Sequence, residues 1–373
     1  MKIIHTADLH LDSAMMANLD NDRARERRNE ILLNFARLCD NAQSLSVSTI
    51  LIAGDLFDKK SVSAKAAKVV LNEVEKHKDI AFYYLRGNHD KDSFINYIKE
   101  NGDIPSNLFM FEDKWTKYTL SESGAKKICL YGAEFDKDNS SSLFYTLDMN
   151  TEDINIVMLH GQESEYEGKD DAEIIPIGNL KGRGIDYLAL GHIHAYKVKE
   201  LDSRGVYCYP GCLEGRGFDE CGEHGFMLLD INEETGKVDY EFVDFACRKL
   251  HTVDVDISGL DNSSSIIDKV REELLIKDYD KNDLIKISLQ GSVDEYAEID
   301  ESLIAKAFSE DYFFVKVKNE SKVYVDYMKY AQDESLKGFF IRELQDDDTL
   351  DDELKGEVVK MGLGALAGEE IIQ

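Results

Sequence analysis

Short apolar runs alternate with amphipathic stretches through residues 1–245. The apolar runs predict strands over residues 2–7, 49–53, 80–85, 128–132, 154–159, 187–190, 205–209 and 225–230. Residues 23–45 and 63–77, which lie between the first three runs, repeat apolar side chains at helical spacing. Buried strands that alternate with helices in this way predict a layered α/β architecture.

A different pattern begins near Leu250. It predicts a β-α-β-α-β unit with strands over 252–257, 284–289 and 313–317 and helices over 263–276 and 302–308. From residue 329 the pattern is helical, and the acidic stretch 345–353 that interrupts it is interpreted as a solvated loop. We therefore predict a main α/β domain over 1–247, a small α+β domain over 248–328 and a helical C-terminal segment over 329–373.

Composition constrains the partners and the location of the chain. Its 373 residues include 44 Lys and Arg against 74 Asp and Glu, a formal net charge of −30. Proteins that bind nucleic acid usually carry a basic surface, so this balance argues against strong nonspecific DNA binding by the chain alone. No apolar run reaches the roughly 20 residues of a membrane span, and the charged N-terminus is unlike a signal peptide. We expect a cytoplasmic protein without membrane contact, whose cysteines are reduced thiols.

Polar side chains follow almost every predicted strand of the first region. The residues that follow these strands are Asp8, His10, Asp55, Asn88, His89, His160, His192 and His194. In sheets of this kind, ligands gather beyond the carboxyl ends of strands, so we expect these side chains to converge on one site. A single motif of this kind arises by chance or forms a turn. Their joint occurrence at successive strand ends indicates a functional site.

The donors in these motifs are imidazoles, carboxylates and one amide oxygen. Such a mixture favours manganese first, with iron or zinc possible, over magnesium and calcium, which prefer all-oxygen sites. The donors are also too many for one ion. We predict two shells that share Asp55, the first with Asp8, His10 and His194 and the second with Asn88, His160 and His192. Two divalent ions ~3.5–4 Å apart can clamp the attacking and leaving oxygens of an in-line phosphoryl displacement.

Other polar residues beside these motifs are candidates for catalysis and substrate binding. His89 is predicted to protonate the leaving oxygen or to stabilise charge on the phosphoryl group, rather than to bind metal. Asp58, three residues after Asp55, is predicted to orient the imidazole of His89. Arg86 and Arg216 lie beside the site loops and are candidate contacts to substrate phosphate.

Weaker candidates have structural interpretations that we favour. Arg23 and Arg27 share a helix face and could touch phosphate, but acidic neighbours favour a solvated, ion-paired helix. The spacing of Cys208, Cys212 and Cys221 matches no ordinary zinc site, which favours free thiols. His5, which lies inside a predicted strand, is interpreted as a core imidazole.

The motifs DLH, GDLFD, GNHD, LHG and GHIH occur in this order, and with them the chain resembles the calcineurin-like metallophosphoesterase superfamily. The segment YPGCLEG at 209–215, followed by GF and ExGF, is similar to the SbcD-type DNA repair exonucleases of bacteria. The resemblance implies a β-sandwich flanked by helices, with a small α+β capping domain and a helical C-terminal segment. It also implies a homodimer, a coiled-coil ATPase partner of the SbcC type, and manganese-dependent cleavage of DNA, both from ends and by nicking.

Two residues depart from the pattern of this family. Cys212 stands where many relatives have Ser, and Asp12 stands where many have Gly. The leading hypothesis is a two-metal DNA phosphodiesterase. The alternative is a phosphatase or small-nucleotide phosphodiesterase with the same metal centre, which needs no basic groove and so fits the charge better. A non-catalytic scaffold for an ATPase is a third hypothesis, which the complete set of ligands disfavours.

Overall fold

The computed structural model describes residues 1–15, 19–58, 62–90, 93–135, 140–164, 174–347 and 349–367. The chain divides into two compact units, Met1–Lys249 and Leu250–Gln373. Residues 368–373 of the predicted helical C-terminal segment and Asp348 of the acidic stretch lie outside the described residues.

The first unit alternates strands and helices, as the sequence predicts. Its described strands are β1 (Lys2–Thr6), β2 (Thr49–Ala53), β3 (Ala81–Leu85), β4 (Leu108–Met110), β5 (Thr116–Ser121), β6 (Ile128–Gly132), β7 (Ile154–His160), β8 (Gln162–Glu163), β9 (Ile174–Ile175), β10 (Tyr187–Gly191), β11 (Lys197–Glu200), β12 (Val206–Tyr209), β13 (Gly225–Ile231) and β14 (Val238–Asp244). Its described helices are α1 (Asn21–Ser44), α2 (Ala64–Lys76), α3 (Ser93–Asn101), α4 (Ser140–Leu143) and α5 (Ile177–Leu180).

Two six-stranded sheets form the centre of this unit, in the orders β14-β13-β1-β2-β3-β4 and β11-β12-β10-β7-β6-β5. Strands β1 to β4 are parallel to one another, and so are β6, β7, β10 and β12. The antiparallel strands β13 and β14 extend the first sheet at one edge. The parallel strands therefore end together at one side of each sheet, where the sequence predicts the site.

The two sheets pack face to face as the inner layers of a sandwich. Leu51, Met158 and Leu229 belong to the apolar cluster between them. Helices α1 and α2 cover the outer face of the first sheet through residues such as Phe35, and α5 covers the second sheet with Leu180. These layers confirm the predicted α/β fold, a β-sandwich flanked by helices.

Six strands, β4, β5, β8, β9, β11 and β14, are not predicted by the apolar pattern. β11 (KVKE) and β14 (VDYEFVD) are polar and largely exposed edge strands. Pairing of their main chains with a neighbouring strand stabilises such strands, and this pairing leaves no apolar run in the sequence.

The second unit contains β15 (Leu250–Asp256), α6 (Ser263–Lys277), β16 (Leu284–Gln290), β17 (Ser292–Asp294), α7 (Glu301–Ala307), β18 (Phe314–Asn319), β19 (Lys322–Tyr324), α8 (Tyr327–Tyr330), α9 (Leu336–Gln345) and α10 (Asp352–Ala367). Strands β15, β16 and β18 form a parallel three-stranded sheet, and α6 and α7 connect them as predicted. The last helices pack around their own apolar cluster, which includes Ile341 and Val359. Among the described residues of both units, no helix has the length and apolar character needed to cross a membrane.

Candidate metal centre

The loops that follow β1, β2 and β10 hold polar residues in an uncommon backbone conformation. The φ angles of Asp8, His10, Asp55 and His192 are 52°, 45°, 49° and 103°. Residues other than glycine rarely adopt positive φ, and where they do at functional sites the strain costs about 1–3 kcal/mol each. The N–H of Asp8 donates to the carbonyl oxygen of Gly54 at 3.1 Å, and the N–H of His10 donates to that of Asp55 at 3.0 Å. These main-chain bonds fasten the first two loops together.

Asp8, His10 and His194 form a first group of possible metal ligands. One donor atom from each lies within 4.8 Å of the other two. The Nε2 atoms of His10 and His194 face each other at 3.2 Å. Asp8 and His10 are buried, with exposures of 1% and 0%. Two imidazole nitrogens and a carboxylate suit a transition-metal ion better than magnesium or calcium.

Asp8, Asp55 and His160 form a second group of the same kind, so that Asp8 belongs to both. Nε2 of His160 lies 3.4 Å from Oδ2 of Asp55 and 2.9 Å from Oδ1 of Asn88. Nδ1 of His160 lies 2.9 Å from the carbonyl oxygen of Ala53. Because a carbonyl oxygen only accepts, Nδ1 carries the proton, and Nε2 is left as a possible ligand.

His192 completes the arrangement through both its main chain and its side chain. Its N–H donates to both carboxylate oxygens of Asp8, at 3.0 and 2.9 Å. Its Nδ1 lies 3.3 Å from Oδ1 of Asn88. The structure therefore brings all the predicted ligands together at the carboxyl edges of the two sheets.

The carboxylates and imidazoles of the centre shift the pKa values of one another. Burial alone would raise the pKa of Asp55, but the nearby imidazole of His160 outweighs burial and holds that pKa below its usual range. Burial would lower the pKa of His160, yet the carboxylate of Asp55 raises it to about 10. Buried carboxylates need a positive partner. The donor set of buried carboxylates and imidazoles therefore fits divalent ions.

Two glycines allow the loops to approach each other closely. A Cβ atom on Gly87 would lie 2.1 Å from Oδ1 of Asp55, and one on Gly191 would lie 1.9 Å from the carbonyl oxygen of Ala53. Both distances are far below any real carbon–oxygen contact. Glycine is therefore required at these positions if the carboxylate and the strand ends are to stay where they are.

His89 lies at the exposed rim of the centre. Its N–H donates to Oδ1 of Asp55 at 2.9 Å, and its Nδ1 lies 3.2 Å from the main-chain oxygen of Asp58. A carboxylate oxygen of Asp58, which the sequence predicts to orient His89, lies within 4.8 Å of a ring nitrogen of that residue but has closer partners. Oδ1 of Asp58 lies 3.2 Å from Nδ1 of His10 and 3.0 Å from Nη1 of Arg216. The main chain of Asp58 therefore makes a closer contact with His89 than its carboxylate does.

Both arginines predicted to contact phosphate are paired with carboxylates. Nε of Arg86 lies 2.9 Å from each carboxylate oxygen of Glu134. Arg216 contacts Asp58 and also donates from Nη2 to Oε1 of Glu220 at 2.8 Å. The guanidinium groups of both residues therefore have acidic partners at the centre.

Glu220 contacts the centre although no motif in the sequence predicts it. Its Oε1 lies 2.7 Å from Nδ1 of His194. Burial would raise the pKa of Glu220, but His194 and Arg216 together hold it below its usual range. Glu220 lies in a loop without any strand-end pattern, and its spacing of four residues from Arg216 is the one signal that the sequence carries.

Asp90 also supports the centre without being predicted to do so, because its carboxylate joins two of the loops. Its carboxylate accepts hydrogen bonds from the N–H groups of Leu56, Phe57 and Gly87 at 3.2, 3.0 and 3.1 Å. Burial, together with the charge of Asp55, raises the pKa of Asp90 to about 7. Its position in the GNHD motif could have pointed to it.

The weaker candidates take structural roles. His5 is fully buried, with Nδ1 2.9 Å from the hydroxyl of Tyr187, and is a core imidazole. None of the six cysteines, all of which are described, forms a disulfide bond. Arg27 is ion-paired with Glu214, as predicted for α1, but it is fully buried rather than solvated.

Comparisons with known proteins bear on this centre. A family model described as calcineurin-like phosphoesterase matches residues 1–196, which include every predicted metal ligand. The uncharacterized metallophosphoesterase YhaO of Bacillus subtilis is 27% identical over 312 residues, 79% of this chain and 73% of that protein. The DNA double-strand break repair protein Mre11 of Methanopyrus kandleri is 27% identical over 301 residues, 74% of this chain and 64% of that protein. Mre11 of Sulfolobus acidocaldarius is 23% identical over 306 residues, 79% of this chain and 76% of that protein.

The family match agrees with the geometry of the centre. Calcineurin-like phosphoesterases use a dinuclear centre of divalent ions, and the buried donors fit such a centre. The predicted enzyme class, a metal-dependent phosphodiesterase hydrolase, is confirmed at the level of the family. Because the family model covers more than half of the 373 residues, the chain belongs to the calcineurin-like phosphoesterase family.

Proposed function

We propose that the chain is a two-metal DNA phosphodiesterase of the SbcD type, which acts in DNA repair as an exonuclease and endonuclease. The observation that carries the proposal is the convergence of two donor groups that share Asp8 at the sheet edges. The similarity to Mre11 proteins, which are named for DNA double-strand break repair, supports DNA as the substrate. Manganese is the proposed metal, because the donors mix nitrogen and oxygen.

The residues divide into two proposed ligand shells. Asp8, His10, Asp55 and His194 would hold one ion, and Asp55, Asn88, His160 and His192 would hold the other. When bound, two such ions supply Lewis-acid activation of water and neutralise the oxygens of the phosphate. The position of Asp8 in both donor groups supports a second shared carboxylate beside Asp55.

His89 is the proposed general acid. Its Nδ1 faces the main-chain oxygen of Asp58, which fixes the proton on that nitrogen. Nε2 is then the atom that can carry a second proton to the leaving sugar oxygen. Exposure of the imidazole at the rim lets a large substrate reach it.

DNA binding is proposed to depend on partners. The net charge of −30 opposes binding of a polyanion by this chain alone. A coiled-coil ATPase of the SbcC type, bound through residues 329–373, and a second copy of the chain would together supply the missing DNA contacts. Such an assembly would act in the cytoplasm without membrane contact.

A phosphatase or small-nucleotide phosphodiesterase is the alternative, and one observation favours it. Arg86 and Arg216, the two candidate phosphate contacts, already face Glu134 and Asp58. A small substrate that is held by the metal ions needs neither arginine to be free. The arginines of a DNA enzyme would have to exchange these partners for phosphate.

Parallel assays with manganese separate the two functions. The substrates are linear duplex DNA, single-stranded DNA, bis(p-nitrophenyl) phosphate and p-nitrophenyl phosphate, and Asp55→Asn is the inactive control. Cleavage of both DNA substrates and of the diester, lost in the control, supports the nuclease. Hydrolysis of the monoester alone would overturn it.

A further inference from the structure

Each imidazole of the first donor group has a carboxylate beside its Nδ1 atom, as a hydrogen bond for His194 and as an ion-pair distance without hydrogen-bond geometry for His10. Their Nε2 atoms face each other at 3.2 Å. Nδ1 of His10 lies 3.2 Å from Oδ1 of Asp58, and Nδ1 of His194 lies 2.7 Å from Oε1 of Glu220. Each imidazole therefore has a carboxylate behind it and the candidate ion position in front of it.

One guanidinium joins the two carboxylates. Nη1 of Arg216 lies 3.0 Å from Oδ1 of Asp58, and Nη2 lies 2.8 Å from Oε1 of Glu220. The main-chain N–H of Arg216 also donates to the second oxygen of Glu220, at 2.8 Å. The planar guanidinium, with its fixed set of donors, spaces the two carboxylates and offsets their charge.

We propose that Asp58, Glu220 and Arg216 form a positioning network for one of the two metal positions. A carboxylate beside Nδ1 favours the proton on that nitrogen, through a hydrogen bond in His194 and through its charge in His10, and leaves the lone pair of Nε2 free for an ion. The inference rests on the proposed metal-binding role of His10 and His194. It deepens that role by giving Arg216 a structural task in place of phosphate contact.

A buried pair fixes the loop that carries Glu220. Nε2 of His224 lies 2.8 Å from the main-chain oxygen of Glu220, and Nδ1 of the same ring lies 3.2 Å from Sγ of Cys212. The carbonyl accepts the proton of Nε2, so Nδ1 accepts the thiol proton. The N–H of Cys212 donates to the main-chain oxygen of His194 at 3.1 Å. Glu220 is thereby tied to the segment whose imidazole it orients.

The second donor group is held differently, and this difference makes the network testable. Nδ1 of His160 faces the main-chain oxygen of Ala53 rather than a carboxylate. Loss of Glu220 or Asp58 should therefore weaken one ion position and leave the other in place. A general loss of stability would weaken both.

The test measures manganese binding without substrate. Glu220→Gln and Asp58→Asn are compared with the wild type and with Asp186→Asn, which breaks a carboxylate–arginine pair with Arg204 beside the amino end of β10. Manganese titration gives the number and affinity of bound ions. Electron paramagnetic resonance separates coupled pairs from single ions, and circular dichroism checks the fold.

Two coupled ions are expected in the wild type and in Asp186→Asn. In Glu220→Gln and Asp58→Asn one ion should bind about 10- to 100-fold more weakly, and at limiting manganese the spectrum should become that of isolated ions. Arg216→Lys keeps the charge but cannot span both carboxylates. Its affinity for this ion should lie between that of the wild type and that of the two carboxylate variants.

Retention of two tightly bound, coupled ions in both folded variants would overturn the network. Loss of an ion in Asp186→Asn as well would also overturn it, because the effect would then be general. A wild type that binds two ions but does not cut DNA contradicts the proposed substrate and leaves the network intact.

Discussion

Oδ2 of Asp55 lies 3.4 Å from Nε2 of His160, and this contact links the ends of two strands that belong to different sheets. β2 and β7 run through the two layers of the sandwich, and both end at the same side. The centre is therefore located where the layers meet, and its geometry depends on how the two sheets pack.

Asp55→Asn should prevent the binding of two ions, because it removes the charge that the two proposed ligand shells share. We expect activity to fall by more than the ~10- to 100-fold that loss of an outer hydrogen-bond partner costs. Elemental analysis of dialysed protein should find at most one tightly bound ion. Asp239→Asn, at an exposed position in β14, is the control and should keep both. Full metal content in Asp55→Asn would refute the shared carboxylate.

Gly87→Ala should damage the centre through a single methyl group. The new Cβ would lie 2.1 Å from Oδ1 of Asp55 and 2.6 Å from its main-chain nitrogen, so the loop must shift. Displacement of a catalytic group by about 1 Å costs on the order of 100-fold in rate. Gly102→Ala is the matched control, because no atom lies within 4 Å of its added methyl group. Steady-state kinetics with bis(p-nitrophenyl) phosphate should separate the two variants, and equal rates would contradict the close approach.

His89→Gln should lower turnover while the metal content stays unchanged. The imidazole belongs to the exposed rim and, in our proposal, delivers a proton rather than binding an ion. General acid–base catalysis contributes about 10²- to 10⁴-fold, which is the expected loss. Because p-nitrophenolate needs little protonation, the loss should be larger for DNA than for bis(p-nitrophenyl) phosphate. An equal loss on both substrates would argue against the acid role.

Arg27→Met should strongly destabilise the first unit. Nη1 of Arg27 lies 2.9 Å from Oε1 of Glu214, and the two side chains have exposures of 0% and 2%. Removal of one partner leaves a buried, uncompensated charge, which costs about 3–5 kcal/mol. Arg23→Met, on the same helix but in an exposed pair with Asp20, should change stability little. Urea unfolding can be followed by the fluorescence of Trp115, the one tryptophan of the chain. Similar midpoints for the two variants would contradict this difference.

His5 should make the stability of the first unit fall with decreasing pH. Burial lowers its pKa to about 3 from the ordinary value of 6.5. Between these values the unfolded chain binds a proton that the native protein does not, so the free energy of unfolding decreases as the pH falls below about 6.5. The slope from this residue approaches 1.4 kcal/mol per pH unit. Urea unfolding of wild type and His5→Asn between pH 7.5 and 5 should show a shallower decline in the variant, and identical slopes would exclude a neutral His5.

The buried strands could be predicted from the sequence, because strands covered on both faces appear as continuous apolar runs. The observed bounds of β2 (Thr49–Ala53) equal the predicted ones, and those of β10 (Tyr187–Gly191) differ by one residue. The polar edge strands could not be predicted in this way. β14, for example, is defined by main-chain pairing with β13 over its whole length.

The converging donors could be predicted for a related reason, because each follows the end of a parallel strand. The carboxylates that contact these donors could not be predicted from the sequence. Glu220 reaches His194 from an irregular loop, and nothing in its neighbours indicates that contact. The direction of the Asp58 carboxylate depends on the course of its loop, so its nearest imidazole is that of His10, and the predicted partner His89 lies within 4.8 Å.

The positive φ angles at Asp8, His10, Asp55 and His192 lower the thermal stability of the fold at the residues on which turnover depends. Glycine or asparagine would adopt these angles with less strain. Substituting either at the four positions would therefore stabilise the fold but remove the side chains that form the centre. A programme of thermostabilisation should therefore leave the strand-end loops untouched and seek its gains elsewhere, for example on the exposed face of β14.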